Sequence, residues 1–249
     1  MSTLNLKEQL AGQSVSAIGD DAFAGHTELK SIMIPDTVTQ IGDCAFSGCE
    51  NLKTVIAEQV TEIGNQAFMN CTRLTETDFS PLKRVGKEAF RSCIQLRGLK
   101  NGFADSFTDI PDGLFADCST LTTVMLPDIR TIGREAFRNC TRLRKLTGTG
   151  FSWEHITEIG NAAFQNAALS GSLHFSALTA LGTYAFADTY IQRVRLPEQI
   201  TALPDGVFRN DYRLNYLDAA GVVKIGEAAL LVKGTDADNR LQTNIPFPP

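Results

Sequence analysis

Basic charge, long apolar runs and grouped histidines are all scarce in this chain, and each scarcity removes a class of function. The 249 residues carry 23 Lys and Arg against 28 Asp and Glu, a net charge of -5, with a pI near 5.3. A nucleic-acid partner needs a basic footprint, so none is expected. No apolar stretch approaches the ~18–20 residues of a membrane-spanning helix. His26, His155 and His174 stand far apart. No Gly-rich phosphate loop, H-E-x-x-H or G-x-S-x-G occurs. The chain therefore reads as no enzyme, with no catalytic residue, cofactor or metal. Met1 to Gly12 show no basic stretch followed by an apolar one, so no signal peptide is visible.

What is abundant is one residue at one interval. Phenylalanine recurs at Phe23, Phe46, Phe68, Phe90, Phe115, Phe137, Phe164, Phe186 and Phe208, in steps of 23, 22, 22, 25, 22, 27, 22 and 22. Five residues before each stands Ile-Gly or a variant, as in Ile41-Gly42, Val85-Gly86, Ile110-Pro111 and Leu203-Pro204. A degraded copy has Ile225-Gly226 with Leu230 in the Phe place. Self-similarity at about 20–29 residues is the mark of a solenoid. It predicts one elongated domain over 14–232, with 1–13 as a lead-in or N-terminal cap and 233–249 as a C-terminal tail or cap. About ten rungs spaced ~4.8 Å apart give a rod of roughly 45 Å.

Within a rung, Leu52-x-x-Val55-x-Ala57 has counterparts in Leu29/Ile32/Ile34, Leu121/Val124/Leu126 and Ile191/Val194/Leu196. The last two places alternate at strand period, and the run resembles the strand of a leucine-rich repeat. A second extended piece, such as Val60-Thr61-Glu62-Ile63, precedes the Gly. Pro111 and Pro204 replace that Gly, and proline fixes φ near -65°. The Gly is thus not needed for a left-handed conformation; it permits close approach between rungs. A short helical or 3₁₀ turn through Ala-Phe is expected, with the Phe pointing inward.

Cys49, Cys71, Cys93, Cys118 and Cys140 each follow a Phe by three residues. Zinc ligands are usually paired two to four residues apart, so this is a ladder rather than a metal motif. In-register rungs hold the side chains too far apart for good disulfides. The reading is a buried, polarizable residue with a weak S–H donor. Cys44 lies in the turn, where other copies carry Asp20, Asn65, Lys87 or Arg134.

The residues Ile41-Gly42-x-x-Ala45-Phe46-x-x-Cys49-x-x-Leu52-x-x-Val55, and the matching set from Ile132 to Leu143, resemble the BspA-like leucine-rich repeat family. Ile34-Pro35-x-x-Val38-Thr39 and Leu196-Pro197-x-x-Ile200-Thr201 extend the match. The copies after Cys140 depart from it by losing the Cys. The resemblance implies a leucine-rich-repeat solenoid of α/β type, a right-handed coil. Parallel β-strands would form its concave face, with short helical or 3₁₀ turns and extended segments elsewhere. It also implies a cell-surface or secreted protein that binds other proteins, including host extracellular matrix. A structural or intracellular scaffold is the alternative.

Two places stand out as candidate binding residues. On the strand face, Arg193, Arg195 and Tyr216 are anchors of the kind found in binding hot spots, although a solvated sheet face has similar composition. The two long steps contain Phe103, Phe107, Phe151 and the single Trp153. Insertions in repeats map to loops on one face, so these aromatics form either one partner-binding patch or a layer folded back over the core.

Overall fold

The computed structural model describes residues 3–227, 229, 230, 242 and 243. The chain winds into a rod of stacked rungs with three walls. The first is a broad parallel sheet. The strands Thr3–Asn5, Ser31–Met33, Thr54–Ala57 and Glu76–Phe79 pair in sequence order. Further along, Ser170–His174, Tyr190–Arg195, Tyr216–Asp218 and Gln242–Thr243 do the same. The second wall is a narrow sheet of two-residue strands such as Gln40–Ile41, Glu62–Ile63 and Thr131–Ile132. Their inward residue, for example Ile41 or Ile132, is buried. At the start, Leu6–Gln9 forms a single helical turn with Leu6 buried. The stretch 233–249, expected as a tail or cap, lies outside the described residues apart from Gln242–Thr243.

The third wall is built from the turns that carry the phenylalanines. Bonds of the i to i+3 kind close them, as Ser47 N–H to Cys44 O at 2.9 Å and Cys49 N–H to Phe46 O at 3.1 Å. The bonding is that of the expected 3₁₀ turn, but no helix develops, because two residues per turn are left-handed. Cys44, Gln66 and Glu88 have φ of 53°, 54° and 55° at the first place. Gly48, Asn70 and Ser92 have 72°, 61° and 60° at the second. Cys44 thus aligns with Asp21, Gln66 and Glu88, one place beyond the residues expected from the sequence. The strain of non-glycine residues here is offset by ladder bonds. The N–H groups of Cys44, Phe46 and Gly48 donate to Asn65, Ala67 and Met69 O, all at 2.8 Å. The same three bonds recur on rung after rung, from Asp21 to Asn166 and on to Phe208.

Inside this wall the phenylalanines stack. Ring centroids from Phe23 through Phe208 are 5.2 to 5.8 Å apart and the planes tilt by 19° at most. The thiols lie beside them. Cys71 Sγ donates to Phe46 O at 3.1 Å, and Cys93 and Cys118 reach back likewise to Phe68 O and Phe90 O. Burial pushes the Cys93 and Cys140 thiols well above their ordinary range, as expected for packed rather than reactive cysteines. Glycine after the isoleucine does serve close approach. A Cβ on Gly64 would sit 2.6 Å from Asp43 N, and one on Gly160 would sit 2.5 Å from Arg134 N.

A fourth regularity was not legible in the repeat pattern. The residue after that glycine is often Asp or Asn, and its Oδ1 accepts from the backbone of the next rung. Asp43 Oδ1 takes Asn65 N–H at 2.6 Å, Asn65 Oδ1 takes Lys87 N–H at 2.9 Å, and Asp112 Oδ1 takes Arg134 N–H at 2.9 Å. The alternation of Asp, Asn and other residues there hides a shared acceptor.

Candidate functional site

The outward side chains of the broad sheet line up across rungs. Ser31, Thr54 and Glu76 form one row and Met33, Ile56 and Asp78 the next. Near the other end, Ser172, Arg193 and Tyr216 are in register, as are His174, Arg195 and Asp218. Strand alternation places these residues outward because Val194 and Leu217 between them are buried.

The structure brings Arg193, Arg195 and Tyr216 together. The Arg193 guanidinium lies over the Tyr216 ring, 5.1 Å from its centroid. Arg195 Nε is 3.1 Å from Asp218 Oδ2. Three further residues extend the patch. Arg213 covers the Tyr190 ring at 5.3 Å, and Tyr190 and Tyr212 are 47% and 53% exposed. Tyr190, Tyr212 and Arg213 escaped the sequence reading because they stand at the strand's edge and in the preceding turn. The register shift beside Gly171 also obscures the repeat there. Each stacked cation contributes about 0.5–1 kcal/mol at such exposure. Stacking also fixes side chains that would otherwise lose entropy on binding. The patch is locally cationic on an acidic protein.

The long rungs behave differently: of the two arrangements open to their aromatics, the rings fold back over the core. Phe103 and Phe107 are only 8% and 5% exposed. They stack at 4.4 Å, and Phe103 meets the core Phe115 edge-on. Phe151 and Trp153 are partly buried against the core. Trp153 packs edge-on against Phe164 and Phe175 at 5.7 and 5.6 Å. Among the described residues no ring contact joins the two groups. The reason is volume. The extra residues widen the rung, and aromatic rings fill the space between the phenylalanine stack and the sheet. Phe79 and Phe175 do the same on neighbouring rungs.

The broad sheet also has a break. After Glu76–Phe79 no regular strand pairs until Ser170–His174; only the isolated bridges Leu82–Phe103 and Met125–Thr147 remain. Gly98, Asn101 and Gly102 occupy the rung that follows Phe79, and such residues form strands poorly. Gly102 has φ of 63°, which ends any extension. At Gly98 a Cβ would stand 2.9 Å from Thr123 O, so this rung leans toward the next one.

The BspA type Leucine rich repeat region (6 copies) matches residues 1–122 and 108–231. The chain belongs to the BspA-type leucine-rich repeat family. Similar solved structures are leucine-rich proteins. A leucine rich cell surface protein from Faecalibacterium prausnitzii is 27% identical, with a TM-score of 0.54 over 86% of this chain and 74% of that one. A leucine rich repeat protein of T. pallidum is 24% identical, with a TM-score of 0.56 over 75% of each chain. One from Bacteroides ovatus is 18% identical, with a TM-score of 0.50 over 93% and 86%. The last two speak to the fold alone. No curated protein matches this BspA-type chain. Among the described residues no helix is long and apolar enough to cross a membrane.

Proposed function

We propose that the chain is a non-enzymatic protein-binding module of a cell-surface or secreted protein, and that it recognises host extracellular-matrix or other cell-surface proteins. The observation that carries this reading is the outward-facing patch of Arg193, Arg195 and the half-buried Tyr216, flanked by Tyr190 and Arg213. Arg and Tyr dominate binding hot spots, and here cation–π pairing pre-orders them. The cell-surface relative in Faecalibacterium prausnitzii supports the location. The cationic patch calls for an acidic partner surface.

The test is binding of the purified chain to a panel of matrix proteins and to intact host cells. Saturable binding is expected, weakened at least tenfold in an Arg193→Ala/Arg195→Ala/Tyr216→Ala variant of unchanged melting temperature. Absence of binding across the panel favours the alternative, a structural or intracellular scaffold.

A further inference from the structure

The break in the broad sheet leaves unpaired backbone on a defined line. In a parallel ladder, successive residues turn their N–H and C=O groups to opposite sides. Glu76 N–H bonds backward to Lys53 O at 3.1 Å. The N–H and C=O of Thr77 therefore face the following rung. No backbone bond from residues 97–100 meets them. The side chain of Thr77 adds a second signal. It occupies the inward place held by Ile32 and Val55 on the preceding rungs. It is 5% exposed, and its Oγ1 has no hydrogen-bond partner. Buried hydroxyls are normally satisfied, so this one is unusual.

The seam opens into a groove of about 510 Å³ on the sheet face, lined by Thr54, Ile56, Glu76, Thr77, Leu99 and Lys100 among others. Arg97 lies on the same groove and makes no ion pair among the described residues. The seam's far end is already closed by an amide. Asn101 Nδ2 donates to Phe79 O at 2.5 Å and to Asp78 Oδ1 at 3.3 Å. A carboxamide thus stands in for the ladder bond missing there. The groove has no aromatic lining residue, which disfavours a sugar ring. Its unpaired groups alternate donor and acceptor, as a strand edge does, and an extended backbone is the complement of such an edge.

We propose that this seam binds a short extended peptide segment of a partner protein. Two or three residues of its backbone complete the missing ladder beside Thr77, and an acidic side chain reaches Arg97. The proposal rests on the reading of the chain as a protein-binding module, but it places the contact on a different surface from Arg193 and Tyr216.

The experiment screens phage-displayed random heptapeptides, then titrates fluorescein-labelled hits by anisotropy. Three variants are compared with the parent chain: Thr77→Val, Arg97→Glu and Arg193→Ala/Arg195→Ala/Tyr216→Ala. Valine is already the residue at the equivalent position 55, so Thr77→Val keeps the fold. Arg97→Glu changes an exposed side chain and gives an independent arm. The expected result is at least tenfold weaker peptide binding in Arg97→Glu, whereas Thr77→Val, which removes only an inward hydroxyl and keeps the backbone edge, binds as the parent does. The triple variant should bind as the parent does, and N-methylation of the peptide's central amides should abolish binding. Peptide binding untouched by Arg97→Glu, or lost only in the triple variant, overturns the seam. So does a screen without hits, or binding to a glycan array alone. A matrix protein bound through the Arg193 patch with no peptide hits leaves the proposed function standing and removes only this inference.

Discussion

The turn wall and the broad sheet of this rod respond differently to the same irregularity. Both cross the rungs with 25- and 27-residue steps. The turn wall keeps its stack and its backbone ladder through both, with the Phe90–Phe115 and Phe137–Phe164 rings still 5.7 and 5.2 Å apart. The broad sheet lapses into isolated bridges over the same stretch. The difference teaches where the register of a rung is held. It is held by the phenylalanine turn, so the opposite wall is free to vary its length, break its pairing and carry binding residues.

The largest expected effect comes from breaking the wall that never lapses. Phe115 is fully buried between two stacked rings and also receives the edge of Phe103. Phe115→Ala should destabilise the rod by about 3–5 kcal/mol, read as a lowered midpoint in chemical denaturation. A loss under about 1 kcal/mol would mean that the stack does not hold the rungs.

Next is the end of the cysteine ladder, where the wall turns polar. Asp211 takes the thiol's place, is fully buried, and accepts Thr189 Oγ1 at 2.8 Å. Its other oxygen has no hydrogen-bond partner. Burial, outweighing the bonds from Thr189 and from the Arg213 and Ile191 backbone, pushes its carboxyl from 3.8 up to about 7. Well below 3.8 the group is protonated in folded and unfolded chains alike and costs nothing extra. As pH rises toward 7 the unfolded chain gives up its proton and the folded chain does not, so stability falls; above 7 the loss is constant. Asp211→Asn should remove this dependence, with a gain of about 2–4 kcal/mol at pH 8 and little change at pH 4. Parallel denaturation curves at the two pH values decide it, and equal gains at both would refute the titration.

The smallest effect belongs to the wall that does lapse. Lys100 Nζ is 2.6 Å from Asp78 Oδ2, on exposed side chains beside the seam. Lys100→Ala should change stability by less than about 1 kcal/mol, the usual worth of a surface pair. A larger change in melting temperature would show that this contact, rather than the turn wall, clamps the long rung.

Much of the molecule could be read from residue order. The period, the buried Phe and Cys columns, the close approach at Gly64 and the outward rows of the sheet all follow from spacing, because a solenoid converts sequence period directly into neighbours in space. The candidate site was legible where alternation alone decides direction, as at Arg193, Arg195 and Tyr216. It was not legible where volume decides. Phe103 and Phe107 look like loop aromatics until the widened rung is seen to need them inside. Nor could the order of residues reveal Thr77 as unsatisfied, since that depends on a neighbour rung that fails to pair.

The Asp and Asn oxygens of the turn wall give the rod a direction. Asp43 accepts from Asn65, and Asn65 from Lys87, so each acceptor belongs to the earlier rung and each donor to the later one. A chain leaving the ribosome finishes the earlier rung first, and domains fold in that order during synthesis. A completed coil with Asp or Asn at this place thus presents an anchoring oxygen to a segment not yet made. The rod is templated from its beginning, and an Asp43→Ala change is felt by the coil that comes after it rather than by its own.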